Sequence, residues 1–600
     1  MYVPRVLVSS WNTSPGKRAF SVNQWQIVTA ATKPSLLQQK LTATDSLQSF
    51  DKARAWLENC VNTHKNCRPF PAAAPARSPP AGSRSITMPL PALLTATPAA
   101  FQAAKSPARL IDLQCFGKGS QDACVFSTKG HLFNYACLSY SWGPSAFRSY
   151  VTTSSNFKGN FRILRHGEMP LTIRNAFDIC RKLGFRYLWI DAICIVQDSR
   201  ADWHLEVWNM ASIYRNCCLT IAADLSTTVD DGCFTYYSPA MTESLTDQVE
   251  IKYHLGEGEM SSLFFCHLKG EPAIKRMIET SPLSDRGWTF QERALSARVL
   301  HYTDYQLIWE CREVYEAEDG LRLFDSKWGG LRTLCGLVGQ EDLHFRKEDY
   351  LLRWYTEIAQ PYSRRRFSVW TDRKLALTGL IEAMKSKINA AYLGGIWVEM
   401  LEFGLCWGRY DIHMADSSLL GPGPSFSWAQ VVAPVFWGQF PEECRSKLSL
   451  VSLVDFSEGG SAGVNLPRVS CGRQVPMWLK VNGRLKSAKI RLDLSDPEVL
   501  GNAKHGGWLD DVLTVQGDYG DEVFGDVTFD NDIVVDQVHC LPLQVGICSD
   551  GDEFYYALVL ERVTPEFGQS LFGWKRVGLA RISNGPRHWR MGSFHTITLL

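Results

Sequence analysis

Between residues 108 and 320 the apolar positions alternate between short continuous runs and helical stripes. Tyr135 to Tyr140 (YACLSY) is a continuous run of strand length, ended by Ser141-Trp142-Gly143-Pro144. Ile173, Ala176, Phe177 and Cys180 then share one stripe of a helix, with Thr172 as its expected cap and Gly184 as its stop. Arg186 to Asp191 (RYLWID) is a second apolar strand. Strand, helix and strand in that order predict parallel pairing with a right-handed crossover. A helix over Asp202 to Arg215 and a third strand from Leu219 to Ala223 follow. From about 225 to 280 the pattern weakens. Arg286 to Arg293 (RGWTFQER) then opens a short helix, and Arg298 to Thr303 with Gln306 to Cys311 reads as a hairpin around Asp304-Tyr305.

Outside this stretch the periodicity divides the chain further. A lead-in over 1–68 includes a helix from Asp51 to Arg68, and 69–107 reads as a linker. In that linker nine prolines and eleven alanines fill 20 of 39 positions, too few large side chains to repay ordering. Residues 321–420 read as helical. Past that point, to residue 600, the pattern turns β-rich, with candidate strands at Met477 to Val481, Lys489 to Leu494, Tyr555 to Val563 and Trp574 to Ile582.

The net charge is +1, which supplies no global attraction to nucleic acid or acidic membranes. Residues 1–110 nevertheless hold 13 basic and 3 acidic residues, an excess that reads as a solvated arm. Eighteen cysteines without a short-period framework predict a reduced, cytoplasmic chain, and no apolar run has the length of a membrane span. Trp56, Cys60, His64 and Cys67 are spaced for one helical face. Cys60, His64 and Cys67 are metal-ligand types, but a structural zinc takes four ligands and no fourth stands at a suitable spacing. The expectation is a helix packing its apolar face, with no metal site.

Three motif blocks carry a resemblance. Leu138-Ser139-Tyr140-Ser141-Trp142-Gly143 resembles the opening block of the fungal heterokaryon-incompatibility (HET) domain. The second block is resembled by Tyr187 to Asp198 (YLWIDAICIVQD), with Met210 to Tyr214 and Thr220 to Ala223, and the third by Arg286 to Glu292 with Leu295 to Leu300. Over 108–320 the resemblance implies an α/β fold with a mainly parallel sheet flanked by helices, like that of Toll/interleukin-1-receptor (TIR) domains. It also implies a role in non-self recognition that triggers programmed cell death. Because some TIR domains cleave NAD, an NAD glycohydrolase is one reading, with NAD as substrate and no bound cofactor. A non-enzymatic signalling module is the other. The partners implied are proteins of incompatibility signalling, including further copies of the chain, with neither nucleic acid nor membrane.

Ligands of a βαβ unit bind at the carboxyl ends of its strands. That rim offers Ser139, Tyr140, Trp142 and Gly143 as ligand-binding candidates and Asp191 as a catalytic one. Glu206, on the helix that follows, stands where a TIR-like enzyme carries its glutamate and is the second catalytic candidate. Glu292, at a helix start, is expected to clamp Arg286 or Arg293, and Trp189 and Trp288 to fill the core. Cys194, beside a strand, reads as a small hydrophobe.

Overall fold

The computed structural model describes residues 26–29, 43–67, 107–144, 148–159, 161–236, 247–254, 260–267, 277–318, 320, 322–324, 346–370, 372–409, 424–431, 433–437, 444–457, 478–489, 513–516, 522–529, 537–548, 553–563, 573–583 and 593–600. All of the expected linker except Pro107 lies outside them. The chain forms two compact units. Met1–Glu341 with Leu375–Leu380 make the first, and Asp342–Lys374 with Ile381–Leu600 the second.

In the first unit, in chain order, come β1 (Gln26–Thr29), α1 (Leu47–Thr63), β2 (Arg109–Asp112), β3 (Ala123–Ser127), β4 (Tyr135–Ser139) and β5 (Phe161–Leu164). Next are α2 (Leu171–Leu183), β6 (Tyr187–Trp189), α3 (Asp191–Cys194), α4 (Arg200–Asn216), β7 (Leu219–Ala222), β8 (Asp247–His254) and β9 (Met260–His267). The unit continues with α5 (Gly287–Leu295), β10 (Arg298–Tyr302), β11 (Leu307–Cys311), β12 (Val314–Ala317) and β13 (Arg322–Phe324). Strands β1, β9 and β8 make a small antiparallel sheet.

The main sheet has ten strands in the order β13-β12-β11-β10-β7-β4-β6-β2-β3-β5. Its centre is parallel, with Tyr135 opposite Tyr187, Ala136 opposite Leu219 and Val299 opposite Thr220. The strand, helix and strand reading of 135–191 is thus correct. The expectation of a mainly parallel sheet is not: the other six pairings, on both flanks, are antiparallel. The reason is in the connections. Parallel neighbours need a long crossover, as between β4 and β6 and between β7 and β10, whereas β2 and β3, and β10 to β13, are joined by short links that permit antiparallel pairing alone.

Helix α2 buries Ile173, Ala176, Phe177 and Cys180 and ends at Gly184, whose φ of +87° is the left-handed conformation that favours glycine. Its cap residue is Pro170 rather than Thr172. Thr172 lies in the first turn, and its hydroxyl accepts from the Gly232 N–H at 3.0 Å. Helix α1 stops at Thr63 with His64 as its C-cap, so Cys67 is carried back by a turn instead of continuing the helical face. One core joins α1, α2, α4 and both faces of the parallel strands, with Trp189 against Tyr214 and Trp56 against Trp309.

The second unit begins with helices, among them Lys347–Arg353 and Leu401–Leu405. It ends in a ten-stranded, near-barrel sheet. Three of the candidate strands appear there, as Trp478–Gly483, Glu553–Val563 and Gly573–Ser583. Of the fourth, Lys489 ends the strand Lys486–Lys489, and residues 490–494 lie outside the described residues.

Candidate functional site

The four parallel strands, numbered along the chain, lie in the order 2-1-3-4: β6, β4, β7, β10. The chain runs to one side of β4 and then returns to the other. Such a reversal opens a crevice at the carboxyl ends of the first and third strands, where connecting loops diverge. Ser139 ends β4 at that point, and its carbonyl accepts from Ala223 N–H, just past β7, at 3.0 Å.

Around this point the structure gathers Ser139, Tyr140, Trp142, Asp191, Arg286 and Glu292. Asp191 opens α3 after β6 and is partly exposed. One carboxylate oxygen accepts from the Ala192 N–H at 2.7 Å and the other from the Trp142 indole N–H at 2.8 Å. Burial pushes its pKa up, against the pull of the Arg286 guanidinium. Arg286 also donates to the Tyr140 carbonyl. Tyr140 is buried, stacks on Trp142 with ring centres 6.5 Å apart, and its hydroxyl makes no hydrogen bond among the described residues. The Tyr150 hydroxyl is equally unpartnered and feels the same carboxylate.

Glu292, on α5, is buried, and burial holds its pKa at about 7 against the Ser139 and Tyr214 hydroxyls that face it. Asp191 raises it further and Arg286 lowers it. A carboxyl with that value is part neutral and part ionised near neutrality, which suits proton transfer. Of the two arginines expected to clamp it, Arg293 pairs with Glu310 at 2.8 Å, while the Arg286 charge acts on Glu292.

Glu206 has a different set of neighbours. It is fully buried on α4, and neither carboxylate oxygen makes a hydrogen bond among the described residues. Burial raises its pKa to about 7, opposed by Arg109 and reinforced by Asp202, while Arg109 itself pairs with Asp202. Gly143 has a φ of +76°, and a Cβ there would lie 2.9 Å from Thr228 Cβ. The close approach the glycine allows is therefore to Thr228. Trp189 is wholly buried in the core, and Trp288 packs on it half-buried. Cys194 is buried, and burial pushes its thiol up to about 12, away from the thiolate form a nucleophile needs.

A buried chain of charges went unread in the sequence. His301 on β10 links Asp224, at 2.7 Å, to Glu310 on β11, at 2.8 Å, and Glu310 continues to Arg293 and the Tyr315 hydroxyl. Its signal was Glu310 itself, a charge inside the apolar run QLIWEC, since buried carboxylates require partners.

Residues 135–292, which hold every member of the rim cluster, match the family model for the heterokaryon incompatibility protein (HET). They form a HET domain. The curated proteins and the solved structures yield no match to the chain. The HET domain takes in the parallel strands β4, β6 and β7 and helix α5 as far as Glu292, while β10 to β13 and the lead-in helix α1 lie outside the matched span. It implies a role in heterokaryon incompatibility. No helix among the described residues is long and apolar enough to cross a membrane.

Proposed function

We propose that the chain is an effector of heterokaryon incompatibility whose HET domain hydrolyses NAD at the rim of β4, β6 and β7. The observation carrying this reading is Asp191, a partly exposed carboxylate at a strand-order reversal, with Arg286 and the stacked Tyr140 and Trp142 beside it. Cleavage of the nicotinamide–ribose bond by water yields ADP-ribose, nicotinamide and a proton. Positive charge develops on the ribose, and a fixed carboxylate such as Asp191 would stabilise it. Glu292 would receive the proton released by the attacking water, and Arg286 would bind phosphate oxygens. The reading extends to a TIR-like origin for the parallel centre of the sheet. It also extends to cytoplasmic action, supported by thirteen described cysteines that form no disulfide.

One observation favours the second reading, a signalling module that assembles with partner proteins or further copies. Both oxygens of Asp191 are already engaged, by Trp142 and Ala192, as in a purely structural clamp. Inducible expression of the full chain in a fungal host, with viability and NAD followed together, separates the two. Asp191→Asn should remove on the order of 3 kcal/mol of transition-state stabilisation, more than a hundredfold in rate, and abolish both NAD loss and killing. Killing by the unaltered chain at constant NAD would establish the module. Loss of both phenotypes in Glu206→Gln alone would move the reaction centre to α4.

A further inference from the structure

The end of α1 meets the end of β11 through four buried side chains: Cys60, His64, Cys67 and Cys311. Cys311 is the fourth ligand type that no spacing near Cys67 supplies, and it comes from across the sheet, 247 positions from His64. The three sulfurs and the imidazole nitrogen all lie within 4.8 Å of one another. His64 Nδ1 is 3.3 Å from Cys311 Sγ and 3.9 Å from Cys67 Sγ. A tetrahedral zinc with bonds of about 2.3 Å to sulfur and 2.0 Å to nitrogen sets sulfur–nitrogen edges of about 3.5 Å. The cluster is already close to that size.

The charge around it gives an independent argument. Arg298, directly across the ladder from Cys311, is itself wholly buried. It donates to Cys60 Sγ at 3.2 Å, to the Cys67 carbonyl at 2.6 Å and to the Cys218 carbonyl at 3.3 Å. None of these partners is a carboxylate. With neutral thiols the guanidinium would be a buried cation whose hydrogen-bond partners among the described residues bring no counter-charge, which is strongly unfavourable. Three thiolates and one imidazole around a divalent ion carry a net charge of −1, and Arg298 balances it while hydrogen-bonding a ligand sulfur.

We propose that Cys60, His64, Cys67 and Cys311 bind one zinc ion as a closed structural site that ties the lead-in helix to the sheet of the HET-bearing unit. Thiolate-rich sets select zinc over magnesium or calcium. Four buried protein ligands leave no open position for water, so the site holds the fold and performs no chemistry. It closes a long loop, since α1 and β11 are joined in sequence only through the whole of the intervening chain.

Metal analysis of the purified full chain, grown with zinc and passed through gel filtration, should find one zinc per chain. Replacement by Co²⁺ should give thiolate-to-metal charge-transfer bands and the intense visible bands of a tetrahedral site. Cys311→Ser should lose most of the zinc, whereas Cys180→Ser, a buried cysteine on α2 outside the cluster, should keep it. The cobalt spectrum of the unaltered chain needs no variant and decides the matter if Cys311→Ser fails to fold. Trace zinc with no tetrahedral cobalt spectrum overturns the proposal. So does a disulfide among Cys60, Cys67 and Cys311 in the native protein, or undiminished zinc in Cys311→Ser.

Discussion

The indole N–H of Trp142 donates to Asp191 at 2.8 Å, binding the first HET motif to the second across 49 positions of chain. Trp142→Phe keeps the aromatic stack on Tyr140 but leaves a carboxylate oxygen without its donor. A hydrogen bond to a charged group contributes about 1.5–3 kcal/mol. Denaturant unfolding should show a loss of that size, and an unchanged midpoint would mean that water replaces the indole at no cost.

Glu206 should make the protein less stable as pH rises. Its folded pKa of about 7 exceeds the ordinary 4.5, so the unfolded chain releases its proton first. The cost is absent below pH 4.5, grows between that value and about 7, and is constant above. It is bounded by roughly 3 kcal/mol at 1.36 kcal/mol per unit. Glu206→Gln should therefore raise the melting temperature at pH 8 and leave it nearly unchanged at pH 4. A variant that is less stable at both would show that the carboxylate has a partner.

His301 predicts a loss of the same sign, setting in at higher pH. Burial lowers its affinity for a proton, but Asp224 and Glu310, one on each ring nitrogen, outweigh that and raise its pKa above the ordinary 6.5. The stabilisation is fully present below pH 6.5 and is lost as pH rises through the folded value. His301→Gln leaves two buried carboxylates facing a neutral amide, a loss of about 3–5 kcal/mol for a broken buried pair. Calorimetry at pH 6 should resolve it, and the difference from wild type should shrink toward alkaline pH.

Gly143→Ala meets both a left-handed φ and Thr228 Cβ at 2.9 Å. The strained backbone alone costs about 1–3 kcal/mol. Thr228→Gly should recover the steric part and leave the backbone part. Full recovery in the double variant would show that the φ is relaxed by local movement.

The parallel centre was legible because its signals are local. Tyr135 to Tyr140 and Arg186 to Asp191 are continuous apolar runs, and the α2 stripe between them has the helical period. The antiparallel flanks were not, because β2 and β5 are four residues long and β5 presents Phe161 to solvent. Such strands are specified by their neighbours more than by their own sequence. Ser139, Tyr140, Trp142 and Asp191 were placed together by strand order alone. The neighbours of Glu206 were not, since a helix position gives no information on which charges its side chain meets. Cys311 reaches its cluster from a distant segment, which no local spacing reveals.

Phe50, Trp56 and Leu57 of α1 belong to the same core as Leu307 and Trp309, so the span that carries the family motifs does not complete its own interior. In sequence, the piece that closes it is continuous with that span only through the proline- and alanine-rich stretch. A single backbone cut in that stretch would leave two fragments that remain one particle, because what joins them is buried contact and not chain continuity. The lead-in helix is thus a separable subunit in all but covalent connection, one that could be supplied in trans to a chain beginning at Pro107.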